Sequence, residues 1–135
     1  MSDNKFCLQC DDGTLLEHDK RSLSFTYRDH VLTVEVLGWH CPACGECEFD
    51  DGEGKRYSDF VDSFCASIDQ KIANSLRVIR KKLGLRQSDA GKLFGGGATA
   101  FSEYERGKTQ PHKSTILLFK LLDKHPELLG ELMAA

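Results

Sequence analysis

The sequence predicts an α+β chain: a small β-hairpin unit with one helix, followed by an all-α unit of five helices. Three observations support this division. Two Cys-x2-Cys pairs flank alternating apolar residues, the apolar residues after position 70 recur at helical spacing, and the charge changes sign between the halves. Residues 1–69 carry 15 Asp and Glu against 6 Lys and Arg, whereas residues 70–135 carry 6 against 12. We place the two domains at 1–68 and 70–135.

Between the cysteine pairs the sequence predicts a β-hairpin. Leu23, Phe25 and Tyr27 alternate with polar residues, and alternation resumes over residues 32–36. A turn is expected at Asp29-His30. The spacing between the two cysteine pairs is longer than the roughly 15–20 residues usual in zinc sites of this kind, and the hairpin accounts for the extra residues.

The cysteine pairs are Cys7-x2-Cys10 and Cys41-x2-Cys44. Each pair places two thiolates on one side of a tight loop, and two such loops complete a tetrahedral Zn²⁺ site. Four thiolates saturate the ion, so we expect one structural zinc with no open catalytic position. A disulfide interpretation is disfavoured in a reducing cytosol. A redox Cys-x2-Cys usually opens a helix in a βαβ unit, which this sequence lacks.

Three further residues bear on the metal assignment. Cys47 extends the second pair by another Cys-x2-Cys spacing, and we interpret it as a spectator that could exchange with Cys41. His40 could ligate, although a surface histidine is the preferred interpretation. Cys65 falls on an apolar stripe of helical spacing, which predicts a buried small hydrophobe.

Helices are expected at about 57–68 and 72–83, with a short hinge near Ser67–Lys71. The hinge segment contains neither Gly nor Pro, so its flexibility is not assured. Gly84 ends the second of these helices. A leucine-rich helix is expected to end near Lys124, and Pro126 should start a last short helix.

Residues 87–111, QSDAGKLFGGGATAFSEYERGKTQP, have the pattern of two short helices around a glycine turn. Phe101 and Tyr104 form an apolar i, i+3 pair that would anchor the second helix on the core. Its other face carries short polar side chains, which suits a helix in a DNA major groove. Helical hairpins are also common in ordinary bundles, so periodicity alone leaves that interpretation open. The positive charge of this half favours phosphate as a partner.

The string FSEYERGKTQP resembles the end of the recognition helix in the Cro/repressor (XRE-type) helix-turn-helix family. Together with the cysteine pairs, RKKLGL, FGGGATAFSEYERGKTQPH and STILLFKLLDKHPELL, it makes the whole chain resemble the MqsA-type antitoxins. That resemblance implies that domain 1–68 binds and neutralises a small ribonuclease toxin, which the acidic charge suggests is basic. It implies that domain 70–135 forms a homodimer that binds a palindromic operator and represses its own operon.

Carried over position by position, the resemblance assigns the zinc ligands to Cys7, Cys10, Cys41 and Cys44. It assigns base reading to Thr99 and Glu103, and Ser102 is a further candidate on the same face. The family pattern has Asn and Arg at the first two positions, and these read adenine and guanine bidentately. Thr and Glu cannot make those contacts, so a different operator is expected. The alternative is that Glu103 weakens DNA binding, because its charge lies near phosphates.

Phosphate contacts are expected from the basic side chains, one glutamine and two glycine amides of this region: Arg86, Gln87, Gly96, Gly97, Arg106, Lys108 and Lys113. Arg86 stands where the wider family often has a capping Thr, whose loss costs about 1 kcal/mol. The dimer surface is expected on the last helices, which are rich in leucine: Leu117, Leu121, Leu128, Leu129 and Leu132.

A stand-alone zinc-containing regulator that senses metal or redox state is the alternative function, and the run Cys41, Cys44, Cys47 favours it. An enzyme is disfavoured, because no catalytic constellation stands out and the metal site should be closed. The sequence has no apolar run of about 18 residues and no signal-peptide pattern. We therefore expect a cytoplasmic protein with no membrane partner.

Overall fold

The computed structural model describes residues 4–135. The chain divides into two compact units, Met1–Cys65 and Ala66–Ala135. The first contains a three-stranded antiparallel sheet with a four-cysteine cluster, and the second is helical. The predicted α+β fold class is confirmed. Within the described residues, no helix is long and apolar enough to cross a bilayer.

The sheet consists of three strands in sequence order, β1 (Glu17–Tyr27), β2 (His30–His40) and β3 (Cys47–Glu48). Tyr27 pairs with His30, so the hairpin turn is Arg28-Asp29, one residue earlier than predicted. Both turn residues have positive φ, 48° and 66°, as a two-residue type I′ turn requires. The predicted position was wrong by one residue because Asn, Asp or Gly, and not Arg, usually occupies the first position of such a turn.

One face of the hairpin is half-buried and the other is exposed. Leu23 lies opposite Val34, and Phe25 lies opposite Leu32, on the half-buried face. The residues between them point to the exposed face, so the predicted alternation is confirmed.

Helix α1 (Glu53–Lys82) is one helix, and the predicted break at Ser67–Lys71 was wrong. Residues 55–82 contain neither Gly nor Pro, so nothing in the backbone interrupts the helix. Two apolar stripes that suggested two helices belong to successive parts of one amphipathic helix. The prediction of a buried Cys65 was also wrong, since this residue is only half-buried and Phe60 on the same stripe is 53% exposed.

The other helical segments are α2 (Gln87–Phe94), α3 (Ala100–Glu105), α4 (Lys113–Lys124), a 3-10 turn (Pro126–Leu128) and α5 (Leu129–Ala134). The core of this unit is aromatic. The rings of Phe101 and Phe119, both fully buried, stack with centroids 5.3 Å apart, and Phe94 meets Phe119 edge-on at 4.8 Å. This core holds α2 and α3 in place.

The first unit has a smaller buried cluster at the base of the hairpin. It consists of Cys7, Leu16 and Cys41, with Cys10 and Trp39 packed against it. Three of these five residues are cysteines, so the apolar core of this unit is small.

Candidate zinc site and DNA-binding surface

The four predicted zinc ligands lie on two tight loops with the same backbone geometry. The Asp11 amide donates to the Cys7 carbonyl, and the Gly45 amide donates to the Cys41 carbonyl, each at 3.1 Å. Asp11 and Gly45 both turn the chain through the left-handed region, with φ of 50° and 78°. The equal spacing of the two pairs thus produces two equivalent loops.

The sulfur atoms of these loops converge. All four Sγ atoms lie within 4.8 Å of one another. The Sγ atoms of Cys7 and Cys44 are 3.5 Å apart, and those of Cys10 and Cys41 are 3.8 Å apart. Ligands of a tetrahedral zinc with Zn–S bonds of about 2.3 Å lie about 3.8 Å from each other. The cluster is therefore consistent with a closed, structural zinc site.

Backbone amides prepare the sulfurs for a cation. The amides of Cys44 and Ala43 both donate to Cys41 Sγ at 3.4 Å. These bonds, led by that from Cys44, lower the pKa of Cys41 to about 7, and the thiolate is the form that binds metal. Contacts with the other thiols, Cys44 first, raise the pKa of Cys10. Thiolates this close together require a cation to stay ionised together.

Cys47 and His40 lie outside this cluster. Cys47 Sγ donates to a neighbouring backbone carbonyl at 3.9 Å, and burial raises the pKa of its thiol. The run Cys41, Cys44, Cys47 therefore does not converge on one site. His40 is only 2% exposed, and its Nε2 donates to the Val36 carbonyl at 3.1 Å. The expectation of a surface histidine was wrong. His40 lies where the end of β2 pairs with β3, and its ring nitrogen bonds to a backbone carbonyl of β2 instead of reaching solvent.

Helices α2 and α3 are joined by the turn Gly95–Gly97. All three glycines have positive φ, at 101°, 91° and 88°. Gly91 of α2 lies directly against this turn, because a Cβ at this position would sit 1.8 Å from the Gly97 carbonyl oxygen. Gly91 therefore sets the close approach of the two helices, a role that its sequence position did not reveal.

The Glu-Arg-Gly-Lys string closes α3 as a glycine-terminated helix end. The Lys108 amide donates to the Glu103 carbonyl at 2.9 Å, and the Gly107 amide donates to the Tyr104 carbonyl at 3.1 Å. This pair of bonds is the Schellman motif, with Gly107 at φ 74°. Gly84 follows α1 with φ 73°, as predicted for a helix-ending glycine.

A buried ion pair connects α1 to the end of α3. The side chains of Arg80 and Glu105 are 10% and 4% exposed, and two parallel hydrogen bonds of 3.0 and 2.9 Å join them. Arg80 Nη1 also donates to the Leu85 carbonyl at 2.8 Å, and Gln87 Nε2 donates to Glu105 at 3.3 Å. The network fixes the end of α3 against the start of α2. The two partners are 25 residues apart in the sequence, so no local pattern predicts this pair.

The predicted base-reading residues differ in exposure. Thr99 is exposed immediately before α3, whereas Ser102 and Glu103 are half-buried. Among the phosphate candidates, all but the glutamine are exposed: Arg86, Gly96, Gly97, Arg106, Lys108 and Lys113. Gln87 is half-buried and already bonded to Glu105.

Arg86 does not cap α2 as a Thr would, but the helix start is satisfied in another way. The Arg86 backbone amide donates to Asp89 Oδ2 at 3.3 Å, and Arg86 Nε donates to the same oxygen at 3.1 Å. The Arg86 side chain stays 84% exposed. The carboxylate at the third helical position thus replaces part of the missing cap.

Comparison with known proteins decides the family. The profile of the MqsA family, described as the antitoxin component of a bacterial toxin–antitoxin system, matches residues 5–133. The chain belongs to the MqsA antitoxin family. Antitoxin MqsA of Escherichia coli is 39% identical over 129 residues, which cover 93% of this chain and 98% of that protein. The resemblance predicted from the motifs is confirmed.

A second relative supports the helix-turn-helix. A repressor protein of a Salmonella phage is 38% identical over 61 residues, which cover 44% of this chain and 28% of the repressor. The family match and this repressor together support an antitoxin with helix-turn-helix DNA binding.

Proposed function

We propose that this chain is the antitoxin of a type II toxin–antitoxin pair. It neutralises a small ribonuclease toxin through its first unit and represses its own operon through its second, in the cytoplasm. The observation that carries the proposal is the extent of the family match, which spans both units and not the helix-turn-helix alone.

One structural Zn²⁺ bound by the four-cysteine cluster would supply a cross-link between the two loops at the base of the hairpin. No substrate position remains on an ion with four thiolate ligands, so its contribution is stability. Leu16 and Trp39 pack against Cys7, Cys10 and Cys41 and would shield that side of the site, whereas Cys44 is exposed.

The hairpin offers the toxin open strand edges. In the sheet of the described residues, β1 lies at one edge, and β3 pairs only with Trp39 and His40 of β2. Backbone groups along such an edge can pair with an added strand of a partner. We place a toxin strand on β1 or on the open part of β2. Amide hydrogen exchange with and without toxin would identify the strand that becomes protected.

The charge of the first unit supports a basic toxin. The first unit has more Asp and Glu than Lys and Arg. Its net negative charge becomes larger when zinc binds, since four neutral thiols become four thiolates around one Zn²⁺, with a net charge of about −2. Complementary charge of this kind speeds the encounter of two proteins more than it tightens the complex.

Matched charge reversals test this steering. Glu35→Lys with Glu46→Lys changes two exposed acidic residues of the first unit, and Glu127→Lys with Glu131→Lys makes the same change in the second. The first pair should slow toxin association and reduce its salt dependence, and the second pair should have a smaller effect. Equal effects of the two pairs would contradict steering by the first unit.

We place DNA on the α2–turn–α3 surface. Glu103 would accept from the amino group of a cytosine, and the Thr99 methyl group would contact a thymine methyl, with Ser102 beside them. The exposed phosphate candidates named above would position the helix, and Gln87 is the weakest of them because its amide already bonds Glu105.

A homodimer would present two such surfaces to a palindromic operator with half-sites about one helical turn apart. Leu117 and Leu121 lie one turn apart on α4 and are 52% and 47% exposed, which makes them the proposed centre of the dimer surface. The other candidates, Leu128, Leu129 and Leu132, are half-buried.

Base reading and phosphate contact are separable in a gel-shift assay. Thr99→Ala and Glu103→Ala should change the preferred bases, whereas Arg106→Ala should weaken all sequences and reduce the salt slope by about one. If the first two variants weaken every sequence equally, these residues do not read bases.

The proposal as a whole is tested by co-expression with the small protein encoded beside this chain. The two should co-elute in size-exclusion chromatography, and the ribonuclease activity of the small protein should fall when this chain is added. A chain that elutes alone and still binds its own upstream DNA would instead be a stand-alone regulator.

A further inference from the structure

Three side chains of metal-ligand type in the first unit form a second group, separate from the four cysteines. They are His18 on β1, Asp50 in the loop before α1, and Glu53 at the first position of α1. One ligand atom of each lies within 4.8 Å of the other two, and His18 Nε2 is 2.7 Å from Glu53 Oε1.

The second oxygen of Glu53 lacks a partner. Among residues 4–135, Glu53 Oε2 is buried and accepts no hydrogen bond. The whole side chain is 13% exposed, so water has little access to it. Proteins leave few buried acceptors of this kind, and a bound ion is one of their ordinary partners.

The cluster is held in place by the indole of Trp39. Trp39 Nε1 donates to Asp50 Oδ2 at 2.8 Å, and the His18 ring packs on the Trp39 ring with centroids 4.8 Å apart. Hydrogen bonds and packing of this kind orient the ligands of metal sites. Lys5 Nζ lies 2.7 Å from Asp50 Oδ1, so a cation already sits at one side of the cluster.

We propose that His18, Asp50 and Glu53 bind one divalent cation of the Zn²⁺ or Mn²⁺ type. One imidazole and two carboxylates form a mixed nitrogen–oxygen set that suits these ions. The ion binds the carboxylate of Glu53, whose Oε2 has no hydrogen-bond partner among the described residues, and connects β1 to the start of α1. It competes with Lys5 for Asp50. His18 and Asp50, which are 36% and 45% exposed at their side chains, provide the entry path.

Trp39 is the single tryptophan of the chain and contacts two of the three ligands, so its fluorescence reports directly on the site. The full-length, zinc-loaded chain is titrated with Mn²⁺, a paramagnetic quencher that binds thiolates more weakly than Zn²⁺ does. Quenching should saturate at one ion per chain while the zinc content stays constant.

Variants identify the ligands. Glu53→Gln and His18→Asn should raise the Kd for Mn²⁺ by about tenfold or more, since even indirect partners of metal ligands contribute about 10–100-fold. Lys5→Met removes the competing cation and should lower the Kd by roughly threefold. Asp51→Asn, which removes the same charge from the neighbouring residue, is the matched control and should change the Kd by less than about twofold.

Quenching that never saturates, or a Kd that is the same in the wild type and in both ligand variants, would overturn the proposal. So would a Lys5→Met variant that binds Mn²⁺ more weakly, because Lys5 would then support the site and not compete for it. If Glu53→Gln loses zinc and does not fold, His18→Asn and Lys5→Met still decide the question. The result does not depend on whether the chain binds a toxin.

Discussion

The two units of this chain are stabilised in different ways. The second unit has a core in which Phe101 and Phe119 are fully buried and in contact. The buried cluster of the first unit contains one residue, Leu16, that is not a cysteine. A unit of this size with so small an apolar core depends on cross-links. We therefore expect metal to control the folding of the first unit and to leave the second folded.

Removal of zinc should therefore have the largest effect. Zinc contributes about 10–16 kcal/mol to folding in zinc-finger peptides, more than a small core supplies. A chelator should unfold the first unit, seen as a red shift of Trp39 fluorescence, and should leave the amide-exchange protection of α2 to α4 nearly unchanged. If the amide-exchange protection of α2 to α4 were lost together with the Trp39 red shift, the two units would fold as one.

The next largest effect is expected inside the second unit, at the buried ion pair. Glu105→Gln leaves the charge of Arg80 buried without a counter-charge and should lower the free energy of unfolding of this unit by about 3–5 kcal/mol. Asp123→Asn is the control, because the Lys82–Asp123 pair is 50% and 48% exposed and should contribute less than about 1 kcal/mol. Urea unfolding measures the free energy of unfolding of both variants. Equal losses of stability would contradict the assignment of a larger contribution to the buried Arg80–Glu105 pair.

A smaller effect is expected at the helix–turn contact. Gly91→Ala forces backbone atoms of the turn to move and should cost about 1–3 kcal/mol, with weaker operator binding. Gly130→Ala is the matched control in α5, since a Cβ there meets nothing within 4 Å and the φ is ordinary. It should be neutral or slightly stabilising, as Ala usually is in a helix. Equal melting temperatures of the Gly91→Ala and Gly130→Ala variants would contradict the close packing of Gly91 against the Gly97 carbonyl.

The smallest effect concerns Asp89 and depends on pH. The hydrogen bond from Arg86 holds the pKa of this carboxyl below its usual range. Because the folded-state pKa is depressed, the stabilisation is present above the unfolded pKa of about 3.9 and is lost as the pH falls through the folded value. Asp89→Asn should therefore be slightly less stable than wild type at pH 7 and equally stable in strong acid. A difference that persists in acid would have another cause.

Local patterns predicted most of the elements. The alternation at Leu23 and Phe25 predicts the hairpin, Gly84 predicts the end of α1, and the resemblance of FSEYERGKTQP to the end of a recognition helix predicts the end of α3. The errors lie where a pattern had two interpretations. The apolar stripes before and after Ser67–Lys71 suggest two helices with a hinge between them, although no residue there breaks a helix.

The rest of the candidate sites depends on contacts between distant residues. The Arg80–Glu105 pair, the approach of Gly91 to Gly97, and the meeting of His18 with Glu53 all require the fold to be known. Periodicity and spacing report only on neighbours along one element, and so they could not reveal these contacts.

The central claim is that the first unit binds toxin and needs zinc, whereas the second binds operator DNA without it. The most direct test is to measure the affinities for toxin and for operator DNA on the same full-length preparation before and after zinc removal. We expect toxin binding to be lost, because the hairpin is held by the four-cysteine cluster, and operator affinity to change by less than about tenfold, because the aromatic core of the second unit stays intact. Parallel loss of both affinities, or toxin binding that survives without zinc, would contradict this division.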